Sequence, residues 1–214
     1  MSDYAARRDQ IAVIMNDPPR VHGSEAGERG VWHTSFDGYD FLAEHVQPGA
    51  RTLETGCGIS TALFGVWGTE HTCVVLDQRE VDTLCSWAQQ REIDLSRVTF
   101  EVGRSHNILP RLRPGPRLGR WPLELVFVDG SHAFPGPIID WFYSACRLRE
   151  GGIFVMDNVE LPSVQLGLLE FLSKDPRWEL IAKTDQWAGF VRHSSGPLLE
   201  EHVDQLFLRG SDVT

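Results

Sequence analysis

LVFVD at residues 125–129 and IFVMDN at residues 153–158 are the two stretches that decide the fold. Each is an apolar run that ends on a carboxylate. Continuous apolar runs of this length are typical of strands buried on both faces of a parallel sheet. In open α/β sheets, ligands bind beyond the carboxyl ends of the strands. We therefore expect Asp129, Asp157 and Asn158 to converge on one site.

These three residues can be interpreted in two ways. Two carboxylates and an amide offer hard oxygen donors, which suit Mg²⁺ or a similar divalent cation. Alternatively, both aspartates are loop or helix N-cap residues, since Asp is common at those positions. The residues upstream favour the metal site.

The bulk properties limit the kind of partner. The chain has 214 residues, a formal net charge of −10 and a pI near 5.2. An acidic protein is not expected to bind a nucleic-acid backbone or an anionic membrane as its main partner. We find no leader pattern and no apolar run long enough to span a membrane. The four cysteines, Cys57, Cys73, Cys85 and Cys146, form no CxxC and lie in apolar stretches, so we expect reduced thiols and a cytoplasmic protein.

The alternation of apolar and turn-forming segments predicts an α/β protein. Strands are predicted at residues 51–54, 71–77, 98–102, 124–129, 153–157, 178–183 and 186–192. Helices are predicted at residues 3–16, 38–47, 59–66, 80–91, 108–112, 137–148, 163–174 and 198–208. Strands that alternate with helices form a doubly wound, Rossmann-like sheet that is mostly parallel. The last two of the seven strands are too close for a helical crossover, so they form an antiparallel hairpin.

One domain over residues 1–214 is expected from the length, with residues 1–48 as an N-terminal helical cap or lid. Residues 113–122 form a loop rich in proline and glycine, and Gly151-Gly152 break the chain before the fifth strand. The N-terminal helices could pair two subunits, so a homodimer stays open.

The glycine loop LETGCGIST, residues 53–61, follows the first strand. Gly56 and Gly58 allow backbone to approach a ligand closely, although a GxG alone is a weak signal. Thr61 replaces the third glycine of GxGxxG, and Glu54 suits an amine-bearing ligand better than a pyrophosphate. Asp77 ends the next strand, where an acidic residue accepts hydrogen bonds from ribose hydroxyls. A surface-loop role is the alternative for Asp77.

Five motifs in order carry a family resemblance: LETGCGIST, VVLD, FEVGRS, VFVDGSHAF and GGIFVMDNV. Over about residues 50–192 the chain resembles the class I S-adenosylmethionine-dependent methyltransferases. Within that class, the set Asp129, Asp157 and Asn158 is similar to the divalent-metal-dependent O-methyltransferases of the catechol type, with those acting on antibiotic sugars as a further relative.

The resemblance implies a role for each motif residue. The methionine part of S-adenosylmethionine would be held by Glu54, Gly56, Gly58 and Ser60, the ribose by Asp77, the region of the adenine by Ser105, and the metal, Mg²⁺ or a similar cation, by Asp129, Asp157 and Asn158. Asp129 would also border the cofactor. The catechol type has a lysine base three residues after its first metal aspartate, and this chain has His132 there instead.

Methyl transfer to oxygen needs an ionised, well-positioned nucleophile. A cation held by Asp129, Asp157 and Asn158 would lower the pKa of a substrate hydroxyl, and its open positions favour a small molecule with two adjacent oxygens. His132 titrates near neutrality and would accept the proton. Trp32, in the lid, would either stack on the substrate or pack the lid down. The next candidates for the base are His106, His22 and His33.

Three alternatives stay open. The first is a metal-independent methyltransferase with His132 as the base, and the second is a non-catalytic cofactor-binding protein. The third is a nicotinamide-dependent oxidoreductase, which Glu54 and the missing third glycine oppose.

Overall fold

The structure is a computed structural model that describes residues 3–23, 30–112 and 122–194. The helix predicted at residues 198–208 and nearly all of the loop at 113–122 lie outside these ranges.

The observed elements follow the predicted order. The helices are α1 (Asp3–Asn16), α2 (Phe36–His45), α3 (Ile59–Val66), α4 (Gln78–Gln90), α5 (Ser105–Ile108), α6 (Gly136–Ala145), α7 (Pro162–Val164) and α8 (Glu170–Leu172). The strands are β1 (Arg51–Thr55), β2 (Glu70–Val75), β3 (Val98–Val102), β4 (Leu123–Val128), β5 (Leu148–Met156), β6 (Trp178–Lys183) and β7 (Ala188–Arg192). A 3₁₀ turn at Leu109–Arg111 follows α5, and a π-helical turn at Gln165–Leu169 joins α7 to α8.

The seven strands form one sheet in the order β3-β2-β1-β4-β5-β7-β6. Strands β1 to β5 are parallel, whereas β7 is antiparallel to both β5 and β6. The predicted fold class is therefore confirmed. The apolar runs of β4 and β5 lie in the middle of the sheet, and Val126 and Phe154 in them are fully buried.

Helices cover both faces of the sheet and create two cores. One core packs α1 to α4 against the sheet, and the other packs the segments from α5 to α8. Side chains alternate along a strand. Because Leu53 lies in the second core, its neighbours Thr52 and Glu54 point to the first. Within the described ranges, no helix is both long and apolar enough to cross a bilayer.

The glycine pair at 151–152 does not break the chain, contrary to the prediction. Both glycines lie inside β5, which begins at Leu148. Leu148 pairs with Leu123, and the register then shifts. Gly151 has φ +69°, which allows the irregularity without ending the strand.

The cysteine prediction was partly wrong. All four thiols are free, and Cys57 and Cys73 are buried as expected. Cys85 and Cys146 are exposed instead. Their local sequence is apolar, but each lies on an outer helix surface or end, where burial depends on packing rather than on neighbours in sequence.

Candidate active site

A cavity of about 930 Å³ opens at the carboxyl ends of the parallel strands. Its walls come from the glycine loop after β1, the loops after β3, β4 and β5, and the N-terminal segment before α2. The cavity is lined in these walls by Thr55 to Ser60, Gly103 to His106, Asp129 to Gly136, Asp157, Asn158, His22 and Val31 to His33. The first strands and the last strands thus contribute to one continuous space.

The glycine loop lies so close to the loop after β4 that only glycine fits at position 56. Gly56 has φ +101°, and a Cβ there would overlap the carbonyl oxygen of Asp129. The Gly56 N–H donates to the Val74 carbonyl at 3.0 Å, and the Asp129 N–H donates to the Thr55 carbonyl at 3.0 Å. The loop is therefore fixed between β2 and β4 with its backbone facing the cavity.

Gly56, Gly58 and Ser60, which were predicted to hold the methionine part of the cofactor, all line the cavity. Glu54 does not. Its side chain is fully buried behind the loop, where Oε1 accepts a hydrogen bond from the Thr61 hydroxyl. Glu54 thus supports the loop from behind, because alternation along β1 turns it toward α3. Its contact with the methionine part of the cofactor stays a prediction.

Asp77 also lies outside the cavity lining. It is the N-cap of α4, and its Oδ1 accepts the Arg79 N–H at 2.9 Å while Oδ2 accepts Arg79 Nε at 2.9 Å. The ribose contact of Asp77 stays a prediction. Glu80, which no motif indicated, lines the cavity and lies 3.8 Å from Nδ1 of His22.

Ser105 begins α5 and lines the cavity, with Asp140 of α6 behind it. Asp140 is fully buried, and burial raises the pKa of its carboxyl although the nearby Ser105 and Thr55 hydroxyls lower it. Both Asp140 oxygens and Thr55 Oγ1 lack a hydrogen-bond partner among the described residues, so these hydroxyls lie near Asp140 without hydrogen-bonding to it. A buried polar site therefore lies under this wall, and the described residues do not fill its hydrogen-bonding capacity.

Asp129 and Asp157 come together at the ends of β4 and β5, as the strand-end argument predicts. Burial raises the pKa of Asp129 well above its usual range, and the charges of Asp157 and Glu54 raise it further. Burial also raises the pKa of Asp157, which is only 2% exposed. Asp157 Oδ1 has no hydrogen-bond partner among the described residues. Because ionising both carboxyls would bring two negative charges together, the pair holds a proton more readily than an isolated carboxyl does.

Asn158 follows directly in a left-handed conformation with φ +55°, which Asn tolerates better than most residues. Its Nδ2 donates to Glu160 Oε1 at 3.2 Å. This orientation leaves the amide oxygen available to the cavity, which Asn158 lines.

Two carboxylates and one amide oxygen fit the donor preference of Mg²⁺. Their shared negative charge is also what a cation would neutralise. In the parts of the chain that the structure describes, no group of three His, Cys, Asp or Glu side chains is arranged to hold a metal ion. The third protein ligand would therefore have to be Asn158.

His132, the predicted base, lines the cavity beside this pair. Its Nε2 lies 3.9 Å from Asp129 Oδ1 and has no hydrogen-bond partner among the described residues. Burial lowers the pKa of the imidazole. The Ser163 hydroxyl donates to the His132 carbonyl and holds the loop. His106, His22 and His33 also line the cavity.

Sequence reasoning missed two residues of the N-terminal segment. Tyr39 is 1% exposed and lines the cavity, and burial together with the charges of Asp129 and Asp157 raises the pKa of its phenol. The fully buried Thr34 hydroxyl lies near Asp157 and lowers its pKa. The helical pattern of α2 indicates only that Tyr39 is inward, since the contact joins segments about ninety residues or more apart.

Two exposed aromatic side chains mark the mouth of the cavity. Trp32 is 72% exposed and Phe134 is 71% exposed. Trp32 stacks on His22, with ring centroids 4.9 Å apart and an interplanar angle of 7°. Trp32 therefore packs on the lid while one face remains open to a ligand.

Comparison with solved structures identifies proteins of the same fold. The O-methyltransferase TomG from Streptomyces achromogenes, involved in tomaymycin synthesis and solved with SAM, has a TM-score of 0.63 and 18% identity over 91% of each chain. An O-methyltransferase from Bacillus cereus, solved with SAH, has a TM-score of 0.59 and 17% identity over 90% of this chain and 91% of that one. An rRNA methylase from Streptococcus thermophilus has a TM-score of 0.54 and 13% identity over 72% of this chain and 93% of that one.

At these identities the likeness establishes the fold alone, which this chain shares with these methyltransferases. No protein-family model matches the chain, and no curated protein matches its sequence.

Proposed function

We propose that this chain is an S-adenosylmethionine-dependent O-methyltransferase that acts on a hydroxyl group of a small molecule. The observation that carries the proposal is the pair of Asp129 and the buried Asp157, which shares one cavity with a glycine loop in this fold. Two of the structural neighbours are O-methyltransferases solved with SAM or SAH.

We further propose that a divalent cation, Mg²⁺ or a similar ion, is held by Asp129, Asp157 and Asn158. When bound there, it would lower the pKa of a substrate hydroxyl and fix its position. The donor set and the raised pKa of Asp129 beside Asp157 support this assignment.

The chain's own residues have separate tasks in this reaction. Gly56, Gly58 and Ser60 would hold the methyl donor, whose sulfonium carbon is the electrophile. In the displacement, the methyl–sulfur bond breaks as the methyl–oxygen bond forms, and the hydroxyl proton leaves. His132 would receive that proton at Nε2, which has no hydrogen-bond partner among the described residues. Tyr39 lines the cavity beside the carboxylates and would help to exclude water, and the buried Thr34 lies near Asp157.

The acceptor is proposed to be a small molecule rather than RNA. One structural neighbour is an rRNA methylase, but the net charge of −10 and the acidic cavity oppose a polyanionic substrate. An enclosed space with Trp32 and Phe134 at its mouth suits a compact acceptor with an apolar part.

A metal-independent reaction with His132 as the base is the second candidate. It is favoured by the lack, among the described residues, of three metal-binding His, Cys, Asp or Glu side chains in one group. Asp129 would then orient His132, whose Nε2 is 3.9 Å away.

Isothermal titration with S-adenosylmethionine, with and without Mg²⁺, tests the proposal first. Transfer of a radiolabelled methyl group to catechol and to a sugar diol, with and without EDTA, tests the chemistry. Binding and EDTA-sensitive transfer are expected. Absence of cofactor binding would refute the methyltransferase, whereas transfer that survives EDTA would select the second candidate.

A further inference from the structure

Two acids lie at the start of α4, beside the half of the cavity that the glycine loop forms. Asp77 is the N-cap of the helix, and Glu80 follows one helical turn later. Glu80 lines the cavity, whereas Asp77 does not. A nucleoside in this fold needs such an acid, because a carboxylate accepts hydrogen bonds from the two adjacent hydroxyls of a ribose.

The carboxylate of Asp77 is engaged by its own helix. Oδ1 accepts the Arg79 backbone N–H at 2.9 Å, and Oδ2 accepts Arg79 Nε at 2.9 Å. Arg79 Nη2 also donates to Oδ2. Turning Asp77 toward a ligand would therefore remove the cap from the first turn of α4. Leu76, directly before Asp77, lines the cavity in its place.

The carboxylate of Glu80 has no such donors among the described residues. The contact that the structure shows for it joins Oε1 to His22 Nδ1 at 3.8 Å, which is longer than a hydrogen bond. The Glu80 side chain is 23% exposed, so most of it is withdrawn from bulk water. A half-enclosed carboxylate that faces a cavity without donors from the chain can accept hydrogen bonds from a ligand.

His22 places Glu80 beside the glycine loop. The His22 ring is held by its stack on Trp32, and its Nε2 would lie 3.5 Å from a Cβ added to Gly58. The same ring approaches Glu80 through Nδ1. Gly58, His22 and Glu80 thus follow one another along the wall of one cavity, which all three line.

We propose that Glu80, and not the strand-end acid Asp77, accepts the hydrogen bonds of the ribose hydroxyls of S-adenosylmethionine. This assignment rests on the proposed function, because it requires the nucleoside of that cofactor to enter the cavity. Glu80 has acceptor oxygens to offer there, and a ribose supplies two adjacent donors. Asp77 keeps its structural task as the cap of α4.

Calorimetric titration with S-adenosylhomocysteine tests the assignment. Glu80→Gln is expected to weaken binding about thirtyfold, because hydrogen bonds to a charged acceptor are lost. Asp77→Asn should weaken it by less than about threefold, since Asn also caps a helix. Asp82→Asn is the matched control: it removes the same charge from the same helix, but Asp82 accepts from Gln78 Nε2 and does not line the cavity.

Competition with two nucleosides separates a ribose contact from a general effect of the lost charge. Adenosine and 2′,3′-dideoxyadenosine differ only in the ribose hydroxyls. Glu80→Gln should lower the affinity for adenosine and leave that for the dideoxy compound unchanged. An equal loss for both nucleosides would overturn the assignment, and so would a larger loss in Asp77→Asn than in Glu80→Gln.

Failure of the proposed function gives a different result. If the unchanged protein binds neither S-adenosylhomocysteine nor adenosine, the proposed function fails, and the ribose contact of Glu80 fails with it. If the unchanged protein binds both and Glu80→Gln binds them as tightly, the assignment of Glu80 alone is wrong.

Discussion

Glu54 and the pair Asp129–Asp157 are acids at the same edge of the sheet, yet their surroundings differ. Glu54 has His71 at 3.1 Å and the Thr61 hydroxyl as a donor. Among the described residues, Asp157 has no ion-pair partner, and Asp129 has only His132 at 3.9 Å. An acid that accepts a hydrogen bond behind the loop, away from the cavity, is structural, whereas an acid that lines the cavity without a donor from the chain indicates where a ligand binds.

The largest expected difference is in stability. Glu54→Gln replaces the buried carboxylate that accepts the Thr61 hydroxyl and should lower the free energy of unfolding by about 1–3 kcal/mol. Asp157→Asn removes one of two repelling carboxylates and should leave stability unchanged or slightly higher. Urea denaturation in EDTA measures both. If Asp157→Asn is as destabilising as Glu54→Gln, the contrast between the two sites is wrong.

Cation binding should depend on the open site alone. Asp157→Asn should weaken binding of Mn²⁺, followed by electron paramagnetic resonance, by about a hundredfold, because a charged ligand becomes neutral at nearly constant shape. Asp185→Asn makes the same change in charge at an exposed turn and should have no effect. Equal affinity in both variants would favour the metal-independent candidate.

The glycine loop connects the Glu54 site to the Asp129–Asp157 site at Gly56. Replacing Gly56 tests how closely the loop packs against Asp129. Gly56→Ala would require a Cβ that overlaps the Asp129 carbonyl at φ +101°, so we expect a loss of at least about 2 kcal/mol. Gly49→Ala is the control, because φ is +80° there but nothing lies within 4 Å of the added Cβ. Thermal unfolding should separate backbone strain alone, in Gly49→Ala, from strain plus steric overlap, in Gly56→Ala. Equal losses of stability in the two variants would argue against close packing of the loop on Asp129.

Asp140 is a third case, buried without a cation or a second acid. Because folding raises its pKa above the usual 3.8, ionised Asp140 destabilises the folded protein at high pH, and this effect fades as the pH falls toward 3.8. Asp140→Asn should therefore raise Tm by roughly 2–4 °C at about pH 8 and by less in acid. A gain that does not change with pH would contradict the assignment.

The strand ends and glycine loop were predictable because short apolar runs and GxG spacing are local signals. The position of Glu54 behind the loop follows from the same kind of local signal, its alternation with Leu53 along β1. Tyr39 and Thr34 could not be found, since their approach to Asp157 depends on how the N-terminal segment folds over the sheet. The prediction of a break at Gly151-Gly152 was wrong because glycine is typical both of a bulge within a strand and of a break before one.

The stack of Trp32 on His22 gives the protein an optical reporter. Among the described residues, the other tryptophans, Trp67, Trp87, Trp141, Trp178 and Trp187, are all less than 10% exposed. Of the tryptophans that the structure describes, Trp32 should therefore contribute most to the long-wavelength fluorescence and to its quenching by iodide. An acceptor that enters the cavity would cover this one indole, so a change in its emission would reveal which compounds bind, before any methylated product has been identified.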